Sequence, residues 1–248
     1  MDISLAKVQP DLPASELHVN MSNALVRAAQ GLSLPEKRVV SLCMAKLDSV
    51  RLDSGRYKFK ISAIEFAQEY DLDESTSYEQ LKAVGDHLME RTARTVIDTP
   101  RGKKEKKWVW VSGVTYHHGE GWVELGFSPE MTPHLTLLRK EFTSYKLKHA
   151  VALRSVYSWR LFELLMQFKS TGLLRISVDD FCMAMEAPPS CIKDFGQLRR
   201  RIIEPAVFEL IAKNNLIIDW KAVKHGGRKI SGLEFTFKFN PQATFAEF

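Results

Sequence analysis

Residues 193–201, Lys-Asp-Phe-Gly-Gln-Leu-Arg-Arg-Arg, hold side-chain types that read base edges and neutralise phosphates. Arginine bonds bidentately to guanine, glutamine to adenine, and lysine to guanine or phosphate. On a helix beginning near Ile192, with about 100° per residue, Phe195, Leu198 and Ile202 share one stripe. Lys193, Gln197 and Arg200 share the opposite stripe, which is expected to face a DNA major groove. Arg199 and Arg201, on the flanks, are placed for phosphates. Pro205 should kink or end the segment, because inside a helix proline removes a hydrogen bond.

Two further basic runs accompany this one. Between the strands expected at Ile217–Trp220 and Ile230–Phe239, residues 221–229 carry Lys221, Lys224, His225, Arg228 and Lys229 around Gly226 and Gly227. The glycines supply positive φ for a tight hairpin, and the flanking cations can follow a sugar-phosphate backbone or enter a minor groove. Residues 101–107 carry Arg101, Lys103, Lys104, Lys106 and Lys107 against Glu105. The three runs hold surpluses of four, three and four positive charges while the whole chain carries +5, so the remainder is acidic. A basic balance concentrated in this way fits a nucleic-acid partner.

The elements that position these runs follow from periodicity and caps. Residues 1–19, with Pro10 and Pro13 and no apolar period, read as a flexible tail. Leu34 to Ala45 reads as a helix behind Ser33, with Pro35 and Glu36 in its first turn. A strand near Tyr57–Ile61, a helix capped by Ser62 and a helix from Tyr78 to Arg91 follow. Strands at Trp108–Thr115 and Trp122–Phe127 flank the turn His117–Gly121.

The second half repeats this order. Lys60-Ile61-Ser62-Ala63-Ile64-Glu65-Phe66 matches Arg175-Ile176-Ser177-Val178-Asp179-Asp180-Phe181 in its basic residue, isoleucine, serine cap, acid and phenylalanine. Tyr78-x-x-Leu81 matches Phe195-x-x-Leu198, and Leu125-Gly126-Phe127-Ser128-Pro129 matches Phe237-Lys238-Phe239-Asn240-Pro241. Helix, strand, helix, turn, helix, hairpin is the order of a winged helix. The expected fold class is therefore α+β, two tandem winged-helix domains related by internal pseudo-symmetry, with the tail at 1–19 and domains at 20–143 and 144–248. In the first domain, Lys82 and Arg91 stand among Glu74, Glu79, Asp86 and Glu90, a mixture that repels phosphate. That domain is expected to offer loop contacts to the DNA backbone. Tyr157–Phe168 reads as a core helix, with Arg160 and Glu163 as a surface pair.

Several functions find no support in the sequence. The apolar share of 45% can build packed cores, and no segment resembles a secretion signal or a membrane span, so a cytoplasmic protein is expected. Cys43, Cys182 and Cys191 have neither the number nor the spacing of a disulfide framework or a zinc site. No G-x-x-x-x-G-K-[ST] occurs, so strand opening by ATP hydrolysis is not expected. A rolling-circle endonuclease would need two metal-binding histidines around an apolar residue and a nucleophilic tyrosine, whereas His117 and His118 are adjacent in a turn. No catalytic activity, cofactor or metal is expected. A transcriptional repressor of the same fold stays open on this reading.

The chain resembles the replication initiators of iteron-containing plasmids, of the RepA and RepE type. The resemblance is carried by Ser22-Asn23-Ala24-Leu25-Val26 with residues 32–38, by Tyr157-Ser158-Trp159-Arg160-Leu161-Phe162-Glu163-Leu164-Leu165, and by residues 195–206. It implies that the C-terminal winged helix reads the iteron and that the N-terminal one adds DNA contacts and mediates dimerisation. It further implies that monomers initiate replication while dimers repress their own gene. The partners it implies are double-stranded origin DNA with direct repeats, a second copy of the chain, and the host replication initiator and helicase machinery, with no membrane.

Overall fold

The serines of the repeated motif each turn a strand into a helix. In this computed structural model, which describes residues 13–47, 57–224 and 229–240, the Ser62 hydroxyl accepts from the Glu65 amide at 3.1 Å and the Ser177 hydroxyl from that of Asp180 at 3.0 Å. Each helix that follows ends in a left-handed residue, Asp71 and Glu186. Phe66 and Phe181 are both fully buried.

The first unit opens with a short helical turn at Ala14–Glu16, then β1 (His18–Ser22), α1 (Asn23–Arg27) and α2 (Leu34–Lys46). Ser33 and Glu36 form a capping box at the start of α2. β2 (Lys58–Ser62), α3 (Ala63–Tyr70) and α4 (Glu74–Leu88) follow, with α4 capped by Asp73 and starting four residues before the expected Tyr78. Next come β3 (Thr92–Thr99), β4 (Gly102–Val109), β5 (Val111–His117) and β6 (Trp122–Phe127). α5 (Thr132–Leu135), β7 (Phe142–Lys146) and α6 (Lys148–Val151) lead to the second unit.

The second unit comprises α7 (Val156–Met166), β8 (Leu173–Ser177), α8 (Val178–Met185), α9 (Pro189–Lys193), α10 (Phe195–Leu198), a π-helical turn at Arg199–Ile203, α11 (Glu204–Asn214), β9 (Leu216–Val223) and β10 (Gly232–Phe239). Its sheet runs β8-β10-β9 and the first unit's runs β2-β6-β5. Both are antiparallel, so the two sheets share one topology in sequence order. Leu81 and Leu198, the matched leucines, are both enclosed.

Three sequence expectations change. The tail boundary at residue 20 falls inside β1, and the boundary at 143/144 falls inside its antiparallel partner β7, with His18 opposite Lys146. Val19 and Met21 are fully buried, yet five alternating residues give little local signal when their partner lies more than a hundred residues away. Trp108–Thr115 is two strands rather than one: β4 pairs with β3 in a two-stranded ribbon, and β5 pairs with β6 across a bulge between Val111 and Gly113.

The third change concerns Arg160 and Glu163, which are 2% and 0% exposed rather than a surface pair. Glu163 accepts from Arg160 Nη1 at 3.0 Å, Tyr145 Oη at 2.9 Å and Lys37 Nζ at 2.6 Å. Lys37 also donates to Gln30 Oε1 at 2.7 Å, and Arg160 donates to the carbonyls of Val26, Ala28 and Ala184. The i,i+3 spacing looks the same on an exposed helix, but α7 is enclosed along Ser158–Met166 by elements from both units.

Burial lowers the Lys37 ammonium to about 8, against the pull of Glu163. Between pH 8 and about 10 the unfolded chain holds this proton more tightly than the folded one, so Lys37 makes stability rise with pH there. The thiols of Cys43 and Cys182, pushed up to about 12 and about 11 by burial, oppose this from about pH 9 upward, and Tyr70 and Tyr145, raised well above their ordinary value near 10 by burial, add to the opposition at higher pH. The urea midpoint of the wild type relative to that of Lys37→Met should therefore climb from pH 8 to 10.

Candidate nucleic-acid interface

The segment expected to be one recognition helix is built from several pieces. Asp194 has an extended backbone, and its carboxylate accepts from the Gly196 amide at 2.7 Å, capping α10. Lys193 therefore lies on α9 and does not share a helical stripe with Gln197 and Arg200. It is exposed, as are Arg199, Arg200 and Arg201, while Gln197 is half-buried. Leu198 and Ile202 are buried and Phe195 partly so, as their stripe requires.

Pro205 does not end the helix, which continues to Asn214. Proline has no N–H to offer the carbonyl of Arg201, and its ring crowds that carbonyl. The chain widens just before it: the Glu204 amide bonds back five residues to the carbonyl of Arg199. A wheel drawn at a constant 100° per residue does not describe this stretch, so the phase of Arg199, Arg200 and Arg201 relative to α11 differs from the expected one. Arg199 Nε pairs with Glu204 at 2.7 Å, and Arg201 Nη1 lies 3.5 Å from the Ser190 hydroxyl.

At the second wing, β9 and β10 pair from Leu216 opposite Phe239 to Val223 opposite Gly232. Lys221 Nζ meets Glu234 at 2.7 Å, and Arg175 Nε meets the other oxygen of the same carboxylate at 2.7 Å. The two cations hold the Glu234 carboxyl below the usual carboxylate range. Lys221 is thus partly neutralised within the sheet, whereas Lys224 and Lys229 are exposed and make no ion pair among the described residues. His225 and Arg228 lie outside the described residues.

In the first unit the expected basic loop is mostly a strand. Lys103, Lys104, Lys106 and Lys107 stand exposed on β4, with Arg101 in the turn before it. Lys106 Nζ lies 5.1 Å from the centre of the Trp108 ring. Glu105 draws Lys107 to 3.3 Å and Arg94 of β3 to 3.7 Å. Arg94 lies outside the basic runs of the sequence, although the β-branched alternation of Thr92–Thr99 signals its strand. The exposed face of α4 and the turn after it keep their acids: Glu79 and Asp86 on the helix and Glu90 just past its end stand in solvent, and Arg91 is drawn onto Glu36 with 3.0 Å to each carboxylate oxygen. β5 closes against α4, where the Tyr116 hydroxyl donates to Asp86 at 2.5 Å.

His117 stacks on Trp122 at 5.0 Å and His118 on Tyr116 at 6.3 Å, so neighbouring imidazoles have different partners. Among the described residues no group of three or more His, Cys, Asp or Glu could hold a metal, and no helix is long and apolar enough to cross a membrane.

The wide turn makes Pro205 a test of the interface. Pro205→Ala restores the missing amide, which allows an ordinary α-turn and rotates the three arginines by about one residue's 100° against α11. Duplex DNA affinity measured by fluorescence anisotropy should fall at least tenfold, while the melting temperature should stay the same or rise.

Comparison with known proteins finds two family models in succession along the chain. The family model described as "Initiator Replication protein, WH1" matches residues 18–166, and that described as "Initiator Rep protein, WH2" matches residues 177–237. A replication initiation protein of Escherichia coli is 26% identical over 235 residues, covering 92% of this chain and 72% of that protein. The PI protein of Escherichia coli is 26% identical over 246 residues, covering 87% and 80%. A crystal structure of Pi initiator protein in complex with iteron DNA superposes with a TM-score of 0.76 at 26% identity, covering 92% of this chain and 99% of that one. With both halves matched in order by the paired models, the chain belongs to the family of initiator replication proteins with two winged-helix domains.

Proposed function

We propose that the protein initiates plasmid replication by binding iterons, the repeated sites of its origin, without catalysing a reaction. The observation that carries this is the likeness over nearly the whole chain to the Pi initiator, which was crystallised with iteron DNA. The basic segment around α10 and the second wing lie in the part that winged helices apply to DNA.

In this reading Gln197 and Arg200 meet base edges in the major groove, and Lys193 approaches from the end of α9. Arg199, Arg201, Lys224, Lys229 and the expected His225 and Arg228 follow phosphates. Lys221 adds to that set once DNA competes with Glu234. The β3–β4 ribbon brings Arg101, Lys103, Lys104, Lys106 and Lys107 to the backbone, while the acidic α4 stays off the bases. Binding energy from several bound copies then bends and weakens the origin, and host initiator and helicase proteins act on the opened strand in the cytoplasm. A dimer of the same chain would repress its own gene.

Arg200→Ala should cost about 1–3 kcal/mol and relax specificity at one base pair, whereas Lys224→Ala should weaken all sequences alike and reduce the salt slope by about one. Equal, sequence-independent losses would remove Arg200 from the base-reading set. Footprinting on the DNA segment that carries the gene tests the function itself. Regular protection over direct repeats is the expected result, and a single protected inverted repeat at the promoter would make the protein a repressor instead.

A further inference from the structure

Arg38 follows Lys37 on α2, and the two neighbours fare differently. Lys37 reaches Glu163, but Arg38 has no carboxylate partner among the described residues. Its residue exposure is 6%, its Nε is buried with no acceptor, and Nη2 makes only a long 3.4 Å bond to the Leu153 carbonyl. The guanidinium lies 5.2 Å from the centre of the Tyr70 ring, whose hydroxyl donates to the Arg38 carbonyl at 2.7 Å. The next residue along the chain from Leu153 is another arginine. The Arg154 side chain is exposed and unpaired among the described residues, because the acid beside it, Glu209, takes the Arg154 backbone amide and the Lys213 ammonium.

A buried cation without a counter-ion is costly, and a second cation beside it raises the cost. Burial holds the Arg38 guanidinium below its ordinary range, and the positive charge of Arg154 adds to the lowering. Two forked guanidinium groups, neither paired with an acid among the described residues, match a tetrahedral oxyanion, which can accept from several N–H donors at once. We propose that Arg38 and Arg154 form a binding site for a phosphate-class oxyanion at the joint between the two winged-helix units. The site is separate from the basic segments assigned to DNA above. Its occupant would tie α2 of the first unit to the loop that leads into α7 of the second. Occupancy would thereby stiffen the angle between the units.

The probe is inorganic phosphate, titrated calorimetrically into the full chain at constant ionic strength set with chloride. Saturable binding at one site is expected, weakened at least tenfold in Arg154→Ala, a change of an exposed side chain that leaves the fold intact. Arg38→Met keeps the stem that packs on Tyr70 and should abolish the binding. Phosphate should also raise the melting temperature of the wild type more than that of Arg154→Ala, which separates a site from the general salting effect common to both. No saturable binding in the wild type, or equal binding in wild type and Arg154→Ala, overturns the proposal. A duplex carrying the binding site supplies the second arm. Displacement of bound phosphate by the duplex identifies the oxyanion as a strand phosphate, and simultaneous binding identifies it as a free anion.

Discussion

Glu163 is enclosed by protein and surrounded by the donors of Arg160, Tyr145 and Lys37, which come from α7, β7 and α2. A carboxylate so placed tolerates no half-made arrangement, because loss of one partner leaves charge stranded away from water. The same guanidinium that serves Glu163 also grips the carbonyls of Val26 and Ala28, and Glu186 at the end of α8 accepts the amides of Gln30 and Gly31. The segment between α1 and α2 is thus clasped by two helices of the second unit. The relative orientation of the two winged helices follows from this clasp, and with it the spacing between the β3–β4 ribbon and the α10 segment. One hydrophobic core also runs through both units, so the clasp orients surfaces already held together by apolar burial.

The features legible in the sequence were those with local causes. Ser62 and Ser177 announce strand-to-helix turns within five residues, and matched phenylalanines and leucines reveal the duplication. Asp194 carries a cap signal in Asp-Phe-Gly-Gln that a continuous helical wheel overrode. The wide turn is not legible in the sequence because a helical wheel has one angle per residue, and the missing amide of Pro205 makes that angle locally untrue. β4 escaped because its lysines leave no apolar alternation before Trp108. Arg160 and Glu163 escaped for a different reason: their spacing carries no mark of burial, which depends on Lys37 more than a hundred residues earlier.

The duplication in topology is not a duplication in charge. α4 presents Glu79 and Asp86 where the α10 segment presents arginines, and Tyr116 from the first wing lies against Asp86. Gly85 permits this approach, since a Cβ there would come within 3.1 Å of both Tyr116 and Val114. The first unit has in turn an extra ribbon with no counterpart among the described residues of the second. Similar frames therefore carry different surfaces, and the basic character of the first unit sits on the addition to the frame.

The pairing of β1 with β7 has a consequence for the order in which the chain is made. β1 leaves the ribosome early, but its partner ends at Lys146, and the carboxylate that receives Lys37 follows seventeen residues later on α7. At roughly 5–20 residues per second, Lys37 and the edge of β1 spend several seconds in the nascent chain before either can be covered. The first winged helix closes only after the first helix of the second has been synthesised. Completion of the first unit is in this way tied to the synthesis of the second.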